Sequence, residues 1–257
     1  MPYDPDTLDR RDARQIEQLL PVAEWLSANY FRSSCEGEEH VPDTPALFVS
    51  NHNGGMVGPE LVCTLAALWR IRSPASPLYA LAHDFAMAQL TPLGRLLQLA
   101  GAVRATRSNA ERVLARGGQL LVYPGGDIDA YRHFKRRNQV VILPRTGFVR
   151  IAQKLRAPIV PIVAAGAHRS AVILAEGKRV ARALQMRRWA RLERFPIALA
   201  LPWGLALGPW LPYLPLPFRV RLRILPPMHI AQDDLPVEGA RRVQTAMQRA
   251  LDEMSVD

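Results

Sequence analysis

The stretch Ala46-Leu47-Phe48-Val49-Ser50-Asn51-His52-Asn53-Gly54-Gly55-Met56-Val57-Gly58-Pro59-Glu60 decides how this chain is read. Its first four residues are apolar, with aromatic and β-branched members, the make-up of a buried strand. The run stops at a polar, glycine-rich loop that carries a histidine. Three glycines in the next six positions let the backbone reach φ > 0 and let a ligand come close, and Pro59 suits the first turn of a helix. Strand, His-bearing loop and helix start fit the layout of an active site.

Two readings of His52 and Glu60 stand at this level. On one continuous helix, eight positions correspond to about 12 Å of axial rise, too far for contact. A path folded back through the glycines brings the two together. Glu60 then lies in the first helical turn, where the macrodipole favours a carboxylate, and orients the imidazole as in a catalytic dyad. The other reading is a loop histidine beside a capping glutamate.

Outward from this stretch the pattern alternates. Residues 7–30 read as an amphipathic helix despite Pro21, residues 60–69 as helix, and 78–82 as a second strand followed by His83-Asp84, adjacent residues that do not readily face one site. A short helix at 93–99, an extended piece at 102–103 and a helix at 109–115 with Ser108 as its cap come next. Residues 119–123 are a buried strand that runs into Pro124-Gly125-Gly126-Asp127-Ile128-Asp129, so a second strand ends in a glycine loop. In an open α/β sheet ligands gather beyond the carboxyl ends of strands, so the two loops share a crevice. A helix at 148–155 and a strand at 158–164 complete an α/β pattern: a single domain with a mostly parallel central sheet flanked by helices. Residues 1–30 form an N-terminal helical segment and 31–257 the main domain.

Composition narrows the partners. The 257 residues are 22% charged and 49% hydrophobic, which suits a globular domain with a sizeable core. The formal net charge of +10 suggests an anionic partner: nucleic acid, an anionic membrane surface or a phosphorylated substrate. No RNA- or DNA-binding motif accompanies the arginines, so nucleic acid is not expected. Cys35 and Cys63 lack metal or redox spacing, which fits a reducing compartment, and the N-terminus lacks the apolar core of a signal peptide. Arg104 and Arg107 beside a helix start make either a phosphate site or a solvated basic loop. Asp127 and Asp129 form an Asp-x-Asp pair without any nucleotide fingerprint, so no metal is expected.

Taken together, Asn51-His52 with its glycines, Gly101-Ala102-Val103 with Arg107, Tyr123-Pro124-Gly125-Gly126, and Pro158-Ile159-Val160-Pro161 resemble the four ordered blocks of the glycerolipid acyltransferase superfamily, the lysophosphatidate acyltransferase-like proteins. The resemblance covers residues 30–228. It implies the glycerol-phosphate acyltransferase-like fold, no cofactor, and transfer of a fatty acyl group from acyl-CoA or acyl carrier protein to a hydroxyl of a lipid acceptor, commonly a lysophospholipid. It also implies work in phospholipid biosynthesis. Two departures stand out. The usual His-x4-Asp block has Val57 where the acid belongs, leaving Glu60, and Gly125 replaces the glutamate of the third block, as in neutral-lipid acyltransferases that make diacylglycerol-derived, wax or phytyl esters.

On this reading His52 deprotonates the acceptor hydroxyl, a task that suits an imidazole near neutral pH, and Glu60 orients it. Backbone N–H groups of the glycine loops, at Gly54, Gly55, Gly125 and Gly126, are candidates for holding the oxyanion. Arg104, Arg107 and Arg145 are expected to hold phosphate of the acceptor or of coenzyme A, with Asn51, Tyr123 and Pro124 completing the substrate site. No nucleophile elbow favours a covalent acyl-enzyme, and a thioesterase using the same histidine on water is the rival reaction.

The C-terminal third bears on location. Residues 195–218 carry no charge, yet Pro196, Pro202, Pro209, Pro212, Pro215 and Pro217 break any spanning helix. With Trp203, Trp210 and Tyr213 inside it and Arg187, Arg188, Arg191 and Arg194 before it, the segment reads either as a lipid-interface element or as a proline-rich wrap over the sheet. The expectation is a cytoplasmic protein held peripherally on the inner face of the membrane. A strand at 219–225 and a packing helix at 237–254 end the chain.

Overall fold

The computed structural model describes residues 3–55, 58–209 and 213–255. Val57, Trp210 and Pro212, each part of the sequence reading, lie outside them.

In chain order the elements are α1 (Ala13–Trp25), β1 (Ser34–Glu36), β2 (Leu47–Ser50), α2 (Pro59–Arg72), β3 (Leu78–Ala82), α3 (Thr91–Leu99), β4 (Ala102–Arg104), α4 (Arg107–Ala115), β5 (Gln119–Val122), α5 (Gly126–Ala130), α6 (Gly147–Leu155), β6 (Ile159–Ala165), β7 (Val172–Ala175), α7 (Lys178–Ala183), α8 (Met186–Trp189), β8 (Ile197–Ala200), β9 (Gly204–Leu207), β10 (Arg221–Ile224) and α9 (Pro236–Ser255). Among the described residues the central sheet has seven strands in the order β1-β10-β6-β2-β5-β3-β4. It is parallel except where β10 runs against β6.

Period-two alternation along the strands splits the core into two layers. Leu47, Val49, Leu120, Val122, Ile159 and Val163 face α4, α6 and α9. Phe48, Leu121, Val160 and Ile162 face the opposite way, onto Leu68 and Trp69 of α2 and Ile16 of α1. Strands buried on both faces need apolar residues at nearly every position, which is why β2, β5 and β6 are apolar apart from Ser50 and Gln119 at strand ends. On α9, Val243, Met247 and Leu251 fall on one stripe and are buried.

Several boundaries move for physical reasons. The first helix starts at Ala13 and not at residue 7, because the Asp12 carboxylate caps it by accepting from the N–H groups of Arg14 and Gln15. Its last turn, Leu26–Tyr30, widens to a π-helix. Ile16 is buried against Phe48, Leu68 and Trp69, so the N-terminal helix shares the main core. The helix at 107–115 is capped by Thr106, whose hydroxyl accepts from the Asn109 N–H, and Ser108 lies inside it.

The largest correction concerns residues 197–207, where the sequence offered no strand: β8 and β9 form an antiparallel hairpin that joins β7 in a separate three-stranded sheet. Among the described residues, no helix is long and apolar enough to cross a membrane.

Candidate active site

β2 lies between β5 and β6, and its parallel register with β5 pairs Leu47 with Leu120, Phe48 with Leu121 and Val49 with Val122. The loops that leave the carboxyl ends of β2 and β5 therefore emerge side by side. The imidazole of His52 and the ring of Tyr123 lie 4.8 Å apart between centroids. The two glycine loops thus lie side by side at one end of the sheet.

The loop from His52 does fold back. Gly54 and Gly55 take φ of 72° and 96°, a turn that costs any other residue strain. At the helix entry Gly58 has an ordinary φ but no spare space, since a Cβ there would overlap the Glu60 carboxylate and the Asn53 carbonyl. Glu60 accordingly turns inward and is fully buried. Its Oε1 accepts from His52 Nδ1 at 2.6 Å and from the Asn53 N–H at 2.9 Å. Gly58→Ala is therefore expected to destabilise the fold by about 1–3 kcal/mol through overpacking. The same change should separate His52 from Glu60, to be read as a lower melting temperature together with a fall in turnover.

With Nδ1–H donating its hydrogen bond to Glu60, the imidazole presents the lone pair of Nε2, an atom with no partner among the described residues. The His52 side chain keeps 15% of its surface exposed, while that of Glu60 keeps none. A buried carboxylate that fixes one imidazole nitrogen leaves the other able to accept a proton.

The backbone of His52 is held from both sides by an ion pair that lies wholly inside the protein. The Asp129 carboxylate accepts from the His52 N–H at 2.5 Å and from the Val141 N–H at 3.1 Å. Arg132 donates to the His52 carbonyl at 2.8 Å, to Asp129 Oδ1 at 2.6 Å, and to the side-chain oxygen of Asn53. Both ions are buried. Burial pushes the Asp129 carboxyl up, opposed by Arg132 and the His52 amide, and pushes the Arg132 guanidinium down.

His168 closes the rear of the loop. Its Nδ1 accepts from the Gly54 N–H and its Nε2 donates to the Arg132 carbonyl, the pattern of a neutral ring. Burial first, then the charge of Arg132, depress its pKa to about 3. Asn51 pins the other flank. Its amide gives and takes one hydrogen bond each with the Ala164 backbone, continuing the β2–β6 pairing by a side chain. Burial and the Glu60 charge raise the phenol of Tyr123 above its ordinary value, so it stands neutral beside His52.

Of the expected amide donors, Gly54 gives its proton to His168, Gly55 to the Ala130 carbonyl and Gly126 to the Tyr123 carbonyl. The expected arginines are also engaged. Arg104 is paired bidentately with Asp6, and Arg107 with Glu111 at 2.8 Å. β4 lies three strands from β2, so Arg104 is about 14 Å from the dyad's strand. Arg145 donates to the Pro124 and Gly125 carbonyls and pairs with Asp127 at 3.1 Å and Glu193 at 3.5 Å. It braces the loop after β5. Asp127 and Asp129 face different partners, Arg145 and Arg132, and do not converge as metal ligands. Of the adjacent His83 and Asp84, Asp84 pairs with Arg191.

Asn53, Gly58, Asp129, Arg132 and His168 belong to the site and were not among the residues assigned to it from sequence. For Asp129 the available signal was its place five residues into a loop already marked as part of the crevice.

Residues 32–165 match the family model described as Acyltransferase, and the chain belongs to that family. An uncharacterised protein of Mycobacterium tuberculosis is 30% identical over 199 residues, which are 74% of this chain and 55% of that protein. A Mycobacterium leprae protein, also uncharacterised, is 30% identical over the same length, 53% of its own. The chain thus spans about half the length of these curated relatives. Among solved structures, the 1-acyl-sn-glycerophosphate (LPA) acyltransferase PlsC of Thermotoga maritima superposes with a TM-score of 0.57 at 17% identity, over 95% of this chain and 81% of that one. That likeness shows the fold: a mixed α/β architecture with a mostly parallel central sheet.

Proposed function

We propose that this chain transfers a fatty acyl group from a thioester, acyl-CoA or acyl carrier protein, to a hydroxyl of a lysophospholipid or related glycerolipid. The observation that carries the reading is the 2.6 Å contact of His52 Nδ1 with the buried Glu60, which leaves Nε2 open. In the proposed step Nε2 takes the proton of the acceptor hydroxyl while its oxygen attacks the thioester carbonyl. The tetrahedral oxyanion then collapses, the C–S bond breaks, and the imidazolium returns the proton to the leaving thiolate. A general base at this position contributes about 10²–10⁴-fold. Of the four glycine amides, that of Gly125 remains as the oxyanion donor, since the other three already donate within the loops.

A second reading, a neutral acceptor such as diacylglycerol or a long-chain alcohol, is favoured by one observation. Arg104, Arg107 and Arg145 are all matched by carboxylates of the chain itself, which argues against a dedicated phosphate clamp. An acceptor screen with labelled acyl-CoA tests both, using lysophosphatidate, other lysophospholipids, diacylglycerol and long-chain alcohols. Label in a phospholipid is the expected outcome. Label only in neutral esters selects the second reading, and free fatty acid formed equally without any acceptor overturns both in favour of a thioesterase.

A further inference from the structure

The three-stranded sheet has its binary pattern inside out. Its inner face is built of Ile173, Ala198, Ala200 and Ala206, buried against Ala130 and Tyr131 behind the β5 loop or against Ala171 and Tyr213. Its outer face carries the large side chains. Cross-strand pairing sets Leu199 opposite Leu205 and Ile197 opposite Leu207, and Leu174 joins them from β7. Leu174, Leu199, Leu205 and Leu207 are all exposed, as are Leu201 and Trp203 in the hairpin turn and Leu214, which bridges to Leu201. A sheet with one face in water carries polar residues on that face, and a contiguous apolar patch marks an interaction surface.

The charges beside this face identify what covers it. α7 and α8 form the connection between β7 and β8, at one end of the sheet. They expose Arg179, Arg182, Arg187 and Arg188 together with Val180, Leu184 and Trp189. None of these four arginines makes an ion pair among the described residues. Arg191 and Arg194, by contrast, are held by Asp84 and Glu176, so the basic cluster lies earlier in the chain than the sequence suggested. A second copy packed face to face would bring like charges together, whereas a bilayer with anionic headgroups accepts both the leucines and the guanidinium groups.

We propose that the outer face of the β7-β8-β9 sheet, with the basic α7–α8 connection beside it, is the surface by which this chain docks on an anionic lipid bilayer. The inner face of the same sheet packs on Ala130 and Tyr131, directly after Asp129, whose carboxylate holds the His52 N–H, so the docking face and His52 are joined through one short stretch of chain. The argument uses no catalytic step, so membrane binding and acyl transfer can fail separately.

The test is flotation of the purified full chain, without acyl donor, on vesicles of phosphatidylcholine alone or mixed with phosphatidylglycerol. Wild type is expected to float with the mixed vesicles and to come off as salt is raised. Leu199→Asn, Leu205→Asn and Leu207→Asn together replace exposed side chains only. They are expected to cut flotation roughly tenfold at an unchanged melting temperature. Arg182→Glu, Arg187→Glu and Arg188→Glu together should abolish the preference for the anionic vesicles, and His52→Ala should float as wild type. The proposal is overturned if wild type floats with neither vesicle, or if the leucine variant floats like wild type. It is also overturned if that variant turns a dimer into a monomer without changing flotation, which would show a second copy to be the occupant.

Discussion

His52→Ala is expected to lower kcat for acyl transfer by about 10²–10⁴-fold, or roughly 3–5 kcal/mol of barrier, with KM nearly unchanged. The ring does not hold the loop together; its backbone does, through Asp129 and Arg132. The variant should therefore remain folded, although Glu60 loses its shortest partner and keeps only the Asn53 N–H. Glu60→Gln probes the same pair from beneath. A neutral amide can turn either its oxygen or its NH₂ group toward Nδ1, so Nε2 is no longer fixed as the nitrogen bearing the lone pair. Its kcat should fall with at most a modest loss of stability: one oxygen position meets both Nδ1 and the Asn53 N–H, so an amide turned with its NH₂ group toward Nδ1 also leaves the Asn53 N–H without its acceptor. Transfer at the wild-type rate by purified His52→Ala would remove His52 from the reaction and leave its contact with Glu60 a structural hydrogen bond.

Contacts close in sequence were readable, and distant ones were not. His52 and Glu60 are eight positions apart with three glycines between them, so local geometry posed the question, and Gly58 answers it by leaving room for the carboxylate. The parallel sheet was legible because its strands are apolar at nearly every position and end in glycine loops. The fate of the arginines depended on folding. Arg104 meets Asp6 across 98 positions, and no spacing rule predicts such a pair. His168 reaches Gly54 across 114 positions. The hairpin of β8 and β9 failed for another reason. Ile197-Ala198-Leu199-Ala200 and Gly204-Leu205-Ala206-Leu207 do alternate, but in size and not in polarity, so the usual strand signal is silent. What distinguishes the two faces of that sheet is volume, and the larger side chains face outward.

Breaking the Asp129–Arg132 pair is expected to have the largest effect on stability. In Asp129→Asn the guanidinium of Arg132 stays buried without its counter-charge, which costs about 3–5 kcal/mol, or roughly 6–20 °C in melting temperature for a chain of this size. Arg132→Lys keeps the charge yet cannot reach the His52 carbonyl, Asn53, and the Arg136 and Arg137 carbonyls together, since an ammonium offers three donors from one point. Each buried acceptor left unmatched costs about 1–3 kcal/mol. Loss of stability alone would not show that the pair positions His52. The paired change Asp129→Leu with Arg132→Met separates the two roles. With neither ion stranded it should regain part of the lost stability, because removing both members of a buried pair costs far less than removing one. The His52 N–H and carbonyl would still have lost their anchors. Turnover, measured where each variant is fully folded, should therefore stay low while KM remains near that of wild type. If kcat recovered along with stability, the pair would support the fold without orienting the base.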